Sequence, residues 1–353
     1  LNISIGILAY NEADSIAPAL SSLFQQSIFQ QQHSIEVVVV PNGCTDSTAT
    51  IAQDTLKTLV EESPHPVQYR VRDVKQPGKS NAWNLYVHEY SAPTAEYLIL
   101  MDADIQFLNP RTLEELIGAL QSNSEAWVSV GHPIKDVAFK PQKNLIDRLS
   151  LAVSKSSQES LHTDNPVICG QLYCNRAIAL REIWMPIGLP VEDGFLRAIA
   201  CTEGFTSPNS SHQRIQLVPS ATHVFAAYTN ISELLNHEKR IIMGSVINAL
   251  LFDYLWKNCR PEQPAGALIH QRNQQDPNWL NRLLQEKLSQ QGWWVIPSAF
   301  SLRRLQGLKS YSWAKKILRF SLVLLASLAD WFVCFKANAA LKRGEGIGYW
   351  GTK

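Results

Sequence analysis

Tyr97-Leu98-Ile99-Leu100-Met101-Asp102-Ala103-Asp104 decides the fold class: an unbroken apolar run, then two carboxylates two positions apart. Such a run suits a strand covered on both faces. The carboxyl end of a strand is where an open α/β sheet presents side chains to a ligand, so the acidic pair stands at a binding edge. Working outward, Asn2 to Ala9, Ile35 to Val40, Val67 to Val71, Trp127 to Gly131 and, further on, Ile215 to Val218 read as strands. Between them Ile16 to Phe24, Ser47 to Val60, Ser80 to Tyr90 and Pro110 to Leu120 carry apolar residues at helical spacing, with Asp46, Ser47 and Ser80 as N-caps. The alternation predicts an α/β domain with a mainly parallel central sheet.

Composition excludes several classes. With 353 residues and 45% hydrophobic content the chain can bury a real core, so it is neither disordered nor fibrous. Lys plus Arg (32) and Asp plus Glu (31) nearly cancel, so no global field draws it to nucleic acid. The six cysteines, Cys44, Cys169, Cys174, Cys201, Cys259 and Cys334, form no CxxC pair and no disulfide ladder. A reducing, cytoplasmic setting is expected, including the cytoplasmic face of a membrane. Leu1 opens directly on an expected strand, so no leader peptide is expected within this sequence, although a chain that does not begin with Met leaves room for residues upstream.

Polar clusters stand at the ends of four strands: Tyr10-Asn11-Glu12, Pro41 to Asp46, Gln76 to Asn81, and Asp102-Ala103-Asp104. Two hard oxygen donors two residues apart suit Mg²⁺ or Mn²⁺, which are usually shared with a substrate phosphate; a solvated acidic turn is the competing reading. Gly78-Lys79-Ser80-Asn81 opens a helix, where Lys79 and backbone N–H groups could face a phosphate, although the P-loop spacing is absent and a surface lysine would read the same. Asn42 could read a base edge or simply shape a turn. Glu192-Asp193 offers a carboxylate to take a proton from a hydroxyl, or a helix N-cap for Gly194 to Ala200. His223 is a candidate further metal ligand or a core histidine. On the helix expected over Ser232 to Lys257, Arg240 or Lys239 could reach a phosphate or lie on a solvated face.

The last third changes character. Asn278 to Gln290 reads as a helix, Gln271 to Asp276 as a surface loop, and Ile317 to Phe335 as a long apolar run. That run has about the 20 residues a bilayer span needs. It also carries Arg319 and Asp330, each costing on the order of 3 kcal/mol at a membrane centre. A helix lying on a membrane or packed on the catalytic domain is the expectation, with Lys315, Lys316, Lys336, Lys342 and Arg343 as interfacial anchors. The division expected is 1–228 for the catalytic domain and 229–353 for a mostly helical region.

Taken together and in order, these motifs resemble the family 2 inverting glycosyltransferases of the GT-A fold. The match comprises Ala9-Tyr10-Asn11-Glu12, Asn42 to Asp46, Gly78 to Ala82, Asp102-Ala103-Asp104, Gly170 with Arg176 to Leu180, and Glu192-Asp193. The resemblance implies a nucleotide-sugar donor, UDP-linked by expectation, with Ala9, Asn11 and Glu12 at the nucleoside and Asn42 as base reader. It also implies Lys79 near the pyrophosphate, Asp102 by ribose and metal, Asp104 on the metal, and Asp193 as general base in a single inverting displacement. Polymerising members carry Gln-x-x-Arg-Trp; here His237-Glu238-Lys239-Arg240-Ile241 keeps only the Arg. One sugar added to a glycan, lipid-linked or small-molecule acceptor is therefore expected, with peripheral membrane contact through the C-terminal helices. A nucleotidyltransferase-like enzyme would want a basic glycine-rich loop where Ala9 to Asp14 is acidic. A non-catalytic nucleotide-sugar-binding assembly protein would be expected to have lost the carboxylates.

Overall fold

Unbroken β-branched runs become the centre of the sheet. In a computed structural model, which describes residues 1–142, 151, 166–207, 212–228, 230–304 and 313–347, Asn2–Ala9 (β1) and Ser34–Pro41 (β2) are buried along almost their whole length. They are joined by Val67–Val71 (β3), Tyr97–Asp102 (β4), Ile105–Phe107 (β5), Val128–Lys135 (β6), Leu172–Arg176 (β7) and Ile215–Phe225 (β8). Among the described residues the strand order is β3-β2-β1-β4-β7-β6-β8-β5. The first four strands are mutually parallel, as their alternation with helices requires. Beyond them the sheet is mixed: β7 runs antiparallel between β4 and β6, and β5 runs antiparallel to β8.

Alternate residues along the central strands feed two apolar layers. Ile3, Ile5, Ile7, Val37, Val39, Ile99 and Met101 meet the helices Ile16–Phe24 (α1), Thr48–Glu62 (α2) and Thr112–Ser122 (α4). Leu8, Val38, Val40, Leu98 and Leu100 meet Trp83 of Lys79–Leu85 (α3) and Tyr86 of the π turn that follows it. The same second layer includes Ala177–Leu180 (α5), Glu192–Cys201 (α6), Ile231–Asn258 (α7), Ala265–Gln275 (α8), Trp279–Gln290 (α9) and Trp313–Lys342 (α11), the short Ser298–Ser301 (α10) lying beside it. Residues on both sides of position 228 thus share one apolar cluster.

Glu36 interrupts the otherwise apolar β2. Its Oε1 accepts from Ser4 Oγ at 2.6 Å and from the Ala92 N–H at 2.5 Å, and its other oxygen pairs with Arg70. Tyr86 Oη donates to Ser4 at 3.0 Å, and a side chain at Gly6 would put a Cβ 2.5 Å from the Tyr86 ring. A buried carboxylate is tolerated here because its acceptor sites are filled.

Several sequence readings need correction. Ser80 is not an N-cap: α3 begins at Lys79 with Gly78 before it. At α2 Ser47 stands at the cap position without a side-chain bond, and Asp46 Oδ1 accepts the Thr48 N–H at 3.0 Å instead. Gln271 to Asp276 is not a loop, because α8 runs to Gln275 and buries Leu268, Ile269 and Asn273. No helix among the described residues is long and apolar enough to cross a membrane. The Lys342 ammonium donates to Leu288 O, on α9, at 2.6 Å. Arg343 pairs with Glu345. Arg319, Lys315 and Lys316 lie outside the described side chains.

Candidate active site

The loops after β1 and β2 are stitched into one rim. Asn11 takes the left-handed conformation (φ 52°), its Oδ1 accepts the Thr45 N–H at 2.8 Å, and the next N–H, of Glu12, donates to Thr48 Oγ1 at 2.8 Å. Asn and Gly tolerate that region best, so the residue type fits the turn. The Glu12 carboxylate in turn accepts from Ser15 Oγ. Ala9 is buried at the strand end and gives its carbonyl to Asn42.

Asn42 does not read a base. It is fully buried, its Nδ2 donates to Ala9 O at 2.8 Å, and its Oδ1 accepts the Gly78 N–H at 3.1 Å. With both ends of the amide satisfied inside the protein, Asn42 ties β1 to the turn that starts α3. Gly43 beside it (φ 66°) passes so close to Pro77 that a Cβ would lie 2.5 Å from it.

That tie aims Lys79 inward. Its side chain is only 8% exposed, and its Nζ lies 2.7 Å from Asp102 Oδ1, 2.7 Å from Glu192 Oε1 and 3.3 Å from Gly170 O. The ammonium therefore gathers the end of β4, the start of β7 and the start of α6 around one point, and the two carboxylates hold its pKa above the ordinary lysine range against the burial that lowers it. Lys79 is a clasp between acids, not a surface lysine.

Glu192 and Asp193 occupy the first turn of α6 rather than capping it; Val191 is the cap residue. The amino end of a helix favours negative charge. Asp193 Oδ1 accepts the Gly194 N–H at 2.7 Å. Burial, then the neighbouring Glu192 charge, push the Asp193 carboxyl up to about 6, against Gly194, Lys79 and Arg240, which draw it down. Gly170 lies against this pair, since a Cβ there would be 3.3 Å from Glu192 Oε1 and 3.5 Å from Asp193 Cβ. Asp102 is likewise raised to about 6, first by burial and then by the charge of Asp104, although Lys79 draws it down. Two carboxylates with raised pKa values on neighbouring strand and helix ends are a mark of a chemical site.

His223 is fully buried on β8, its Nε2 3.3 Å from Gln171 Oε1 and its Nδ1 without a hydrogen-bond partner. Burial, then the charge of His132, lower its pKa to about 3, so the ring is neutral. Gln171 in turn gives its carbonyl to the Asp102 N–H at 2.9 Å. Even so, Asp102, Asp104 and His223 do not gather: among the described residues no group of three or more His, Cys, Asp or Glu side chains could hold a metal ion. The donor set present is the carboxylate pair, which fits a hard divalent ion that completes its shell with water and diphosphate oxygen. Arg240 is exposed on α7 and near enough for its charge to bear on Asp193. Lys239 reaches Glu345 at 3.8 Å.

Two positioning residues escaped the sequence reading. Asn248 of α7 donates from Nδ2 to Val191 O at 3.1 Å, and Gly244 leaves room for Val191, whose Cγ2 would lie 2.0 Å from a Cβ there. Together they fix the entry to α6 and hence the acidic pair. Only their spacing of four, with the small residue facing the loop, could have pointed to them.

Comparison with known proteins agrees with this geometry. The chain matches the family described as glycosyl transferase family 2 over residues 4–184, more than half its length. Among solved structures it resembles a mannosyltransferase from Pyrobaculum calidifontis in complex with GDP-Man and Mn²⁺, with 15% identity, a TM-score of 0.53, and coverage of 97% of this chain and 87% of that one. A looser similarity links it to glucosyl-3-phosphoglycerate synthase from Mycobacterium tuberculosis in complex with Mn²⁺, UDP-glucose and phosphoglyceric acid, with 17% identity, a TM-score of 0.45, and coverage of 69% and 78%. A mixed sheet of GT-A type, a strand-end carboxylate pair and a sequence match over the amino-terminal half converge: this chain belongs to glycosyl transferase family 2 and is a glycosyltransferase.

Proposed function

We propose that the protein transfers one sugar from a nucleotide-sugar donor, UDP-linked by preference, to an acceptor hydroxyl with inversion, using Asp193 as general base. The observation that carries this reading is the asymmetry between the two adjacent acids of α6. Glu192 Oε1 is committed to the Lys79 ammonium at 2.7 Å, whereas Asp193 is raised to about 6 and keeps part of its surface in solvent. A base that works near neutral pH needs a pKa close to that range and a path to its substrate. The raised pKa and partial exposure of Asp193 support that role, with Glu192 as its brace.

Asp102 and Asp104 would hold Mn²⁺ or Mg²⁺, which when bound supplies positive charge to the departing nucleoside diphosphate. Around that position the protein contributes fixed geometry. Lys79 keeps Asp102 and Glu192 in register, and Gly170 lets the acidic pair approach the β7 start. The acceptor oxygen would lose its proton to Asp193 as its bond to the anomeric carbon forms and the diphosphate leaves from the opposite face. Arg240, whose charge bears on Asp193, would in this reading meet an anionic part of donor or acceptor.

The test is a pair of variants read by two measurements. Asp193→Asn should bind UDP or GDP sugars as the wild type does by calorimetry while losing turnover, and Asp104→Ala should lose the Mn²⁺-dependent part of donor binding. Normal turnover in Asp193→Asn would remove the base assignment. A product that retains the donor's anomeric configuration, seen by NMR, would remove the single displacement.

A further inference from the structure

Helix α11 is amphipathic in an inverted sense. From position 323 to 338 its described polar side chains other than Lys336, namely Ser327, Asp330 and Asn338, are buried, while Leu324, Leu328, Trp331, Phe332 and Phe335 stand 45–59% exposed. A surface helix normally does the opposite. Asp330 points into the protein, where Arg303 Nη2 lies 2.7 Å from Oδ1 and Arg304 Nε 2.9 Å from Oδ2, and Arg303 also reaches Glu238 of α7 at 2.9 Å. Asn338 bonds the Val295 N–H and the Trp293 carbonyl at 2.8 and 3.0 Å. These inward bonds lock the rotation of α11, so the apolar stripe is held outward.

The stripe continues onto the neighbouring segment. Trp293, 58% exposed, packs on Phe335 with ring centroids 5.5 Å apart, and Trp294 packs on Trp331 at 5.6 Å. The one exposed charge among the described side chains of this stretch is Lys336, whose Nζ lies 4.6 Å from the Phe332 ring.

We infer that this face docks α11 flat onto an anionic lipid surface. Trp and Phe beside Leu, with a lysine at the rim, match the layered chemistry of the acyl–headgroup boundary, where aromatic rings settle and cations meet lipid phosphates. A second copy of the chain fits less well: pairing the stripe with itself would bring Lys336 toward an apolar surface whose only acid, Asp330, is already spent on two arginines. The docking is a lateral contact, since no described helix can cross a bilayer. It goes beyond the transfer reaction and does not depend on it, although Glu238 ties the docked helix to α7, which also carries Arg240.

The experiment is flotation of the full chain with vesicles of phosphatidylcholine, alone or mixed with phosphatidylglycerol, alongside sedimentation velocity. Wild type should float with the mixed vesicles and far less with phosphatidylcholine alone. The exposed double substitution Phe332→Glu with Phe335→Glu should weaken that binding by about tenfold or more, since it removes two exposed rings that would enter the lipid and adds like charge. Lys336→Glu should reduce it less. Donor binding by calorimetry should be the same in all variants, which separates this result from any failure of the catalytic reading. Absence of flotation, or binding unchanged in the double variant, overturns the inference. A concentration-dependent dimer that the double variant dissolves, without flotation, also overturns it and names a second copy as the occupant.

Discussion

Asp193 ionises against its surroundings, and that sets both its activity and its cost. Its carboxyl is raised to about 6 by burial and then by Glu192, so the basic form is lost as pH falls through that value. The logarithm of kcat/KM should then drop with unit slope below about pH 6; a profile flat to pH 4.5 would count against it. The same shift has a sign for stability. A carboxyl whose pKa is higher folded than unfolded binds protons more tightly in the native state, so its favourable contribution is present below about pH 4 and is lost as pH rises through about 6. Asp193→Asn should therefore be more stable at pH 7.5, by on the order of 1 kcal/mol after allowing for the solvent it keeps, as urea melts would show. Lys79→Met should do the reverse and cost about 3 kcal/mol, because it leaves Asp102 and Glu192 facing each other without a cation. At this scale the sequence disclosed the acids, since their places at the ends of a strand and a helix follow from neighbouring residues. It could not disclose how Asn42 is used: its amide partners, Ala9 and Gly78, are 33 and 36 positions away, and only the folded register brings them within reach.

Elements were legible in proportion to the regularity of their apolar pattern. β1 and β3 begin and end where alternation and flanking turns place them, and so does α1. α8 was missed because Gln271-Arg272-Asn273-Gln274-Gln275 is polar throughout, while its buried anchors lie earlier, at Ala265, Gly266, Leu268 and Ile269. Gly266 allows that helix to sit against the backbone of Glu182, where a Cβ would come within 1.9 Å of the carbonyl oxygen. The packing of α7 on the entry to α6 predicts a kinetic effect from a residue remote from substrate. In Gly244→Ala the new methyl collides with Val191 and shifts the acidic pair, so kcat should fall by about tenfold to a hundredfold while donor affinity stays near wild type. Adding Val191→Ala removes the closest contact but leaves its Cβ 2.8 Å from the new methyl, so it should restore only part of the loss. Equal losses in kcat and donor affinity, unrelieved by the second change, would show general disruption instead.

At the scale of the molecule, the expected break near position 228 separates a sheet-bearing part from a helical part in composition but not in packing. Trp83 and Leu98 belong to the same apolar cluster as Leu251, Leu284 and Ala337. Calorimetric unfolding should therefore show one cooperative transition; a separate early transition from the helices would contradict a shared core. Asp330→Ala should lower that transition by a few degrees, about 2 kcal/mol, because Arg303 and the exposed Arg304 would lose the buried carboxylate they share, Arg303 keeping Glu238.

The strand order also sets a timetable for synthesis. β3, β2, β1 and β4 are neighbours in space and all lie between positions 2 and 102, so these four strands can pair before β6, β7 and β8 are synthesised. β5 has no such privilege. Its residues follow β4 almost at once, yet its partner β8 arrives only at 215–225, and β6 likewise waits for β7 and β8. The nascent chain must carry the unpaired β5 for about 100 residues, which at roughly 5–20 residues per second is 5 to 20 seconds of exposure, whereas β6 meets β7 sooner. The active site therefore assembles in stages: Asp102 finds its place beside β1 early, Asp193 arrives only with α6, and Asp104 borders β5 until β8 is made.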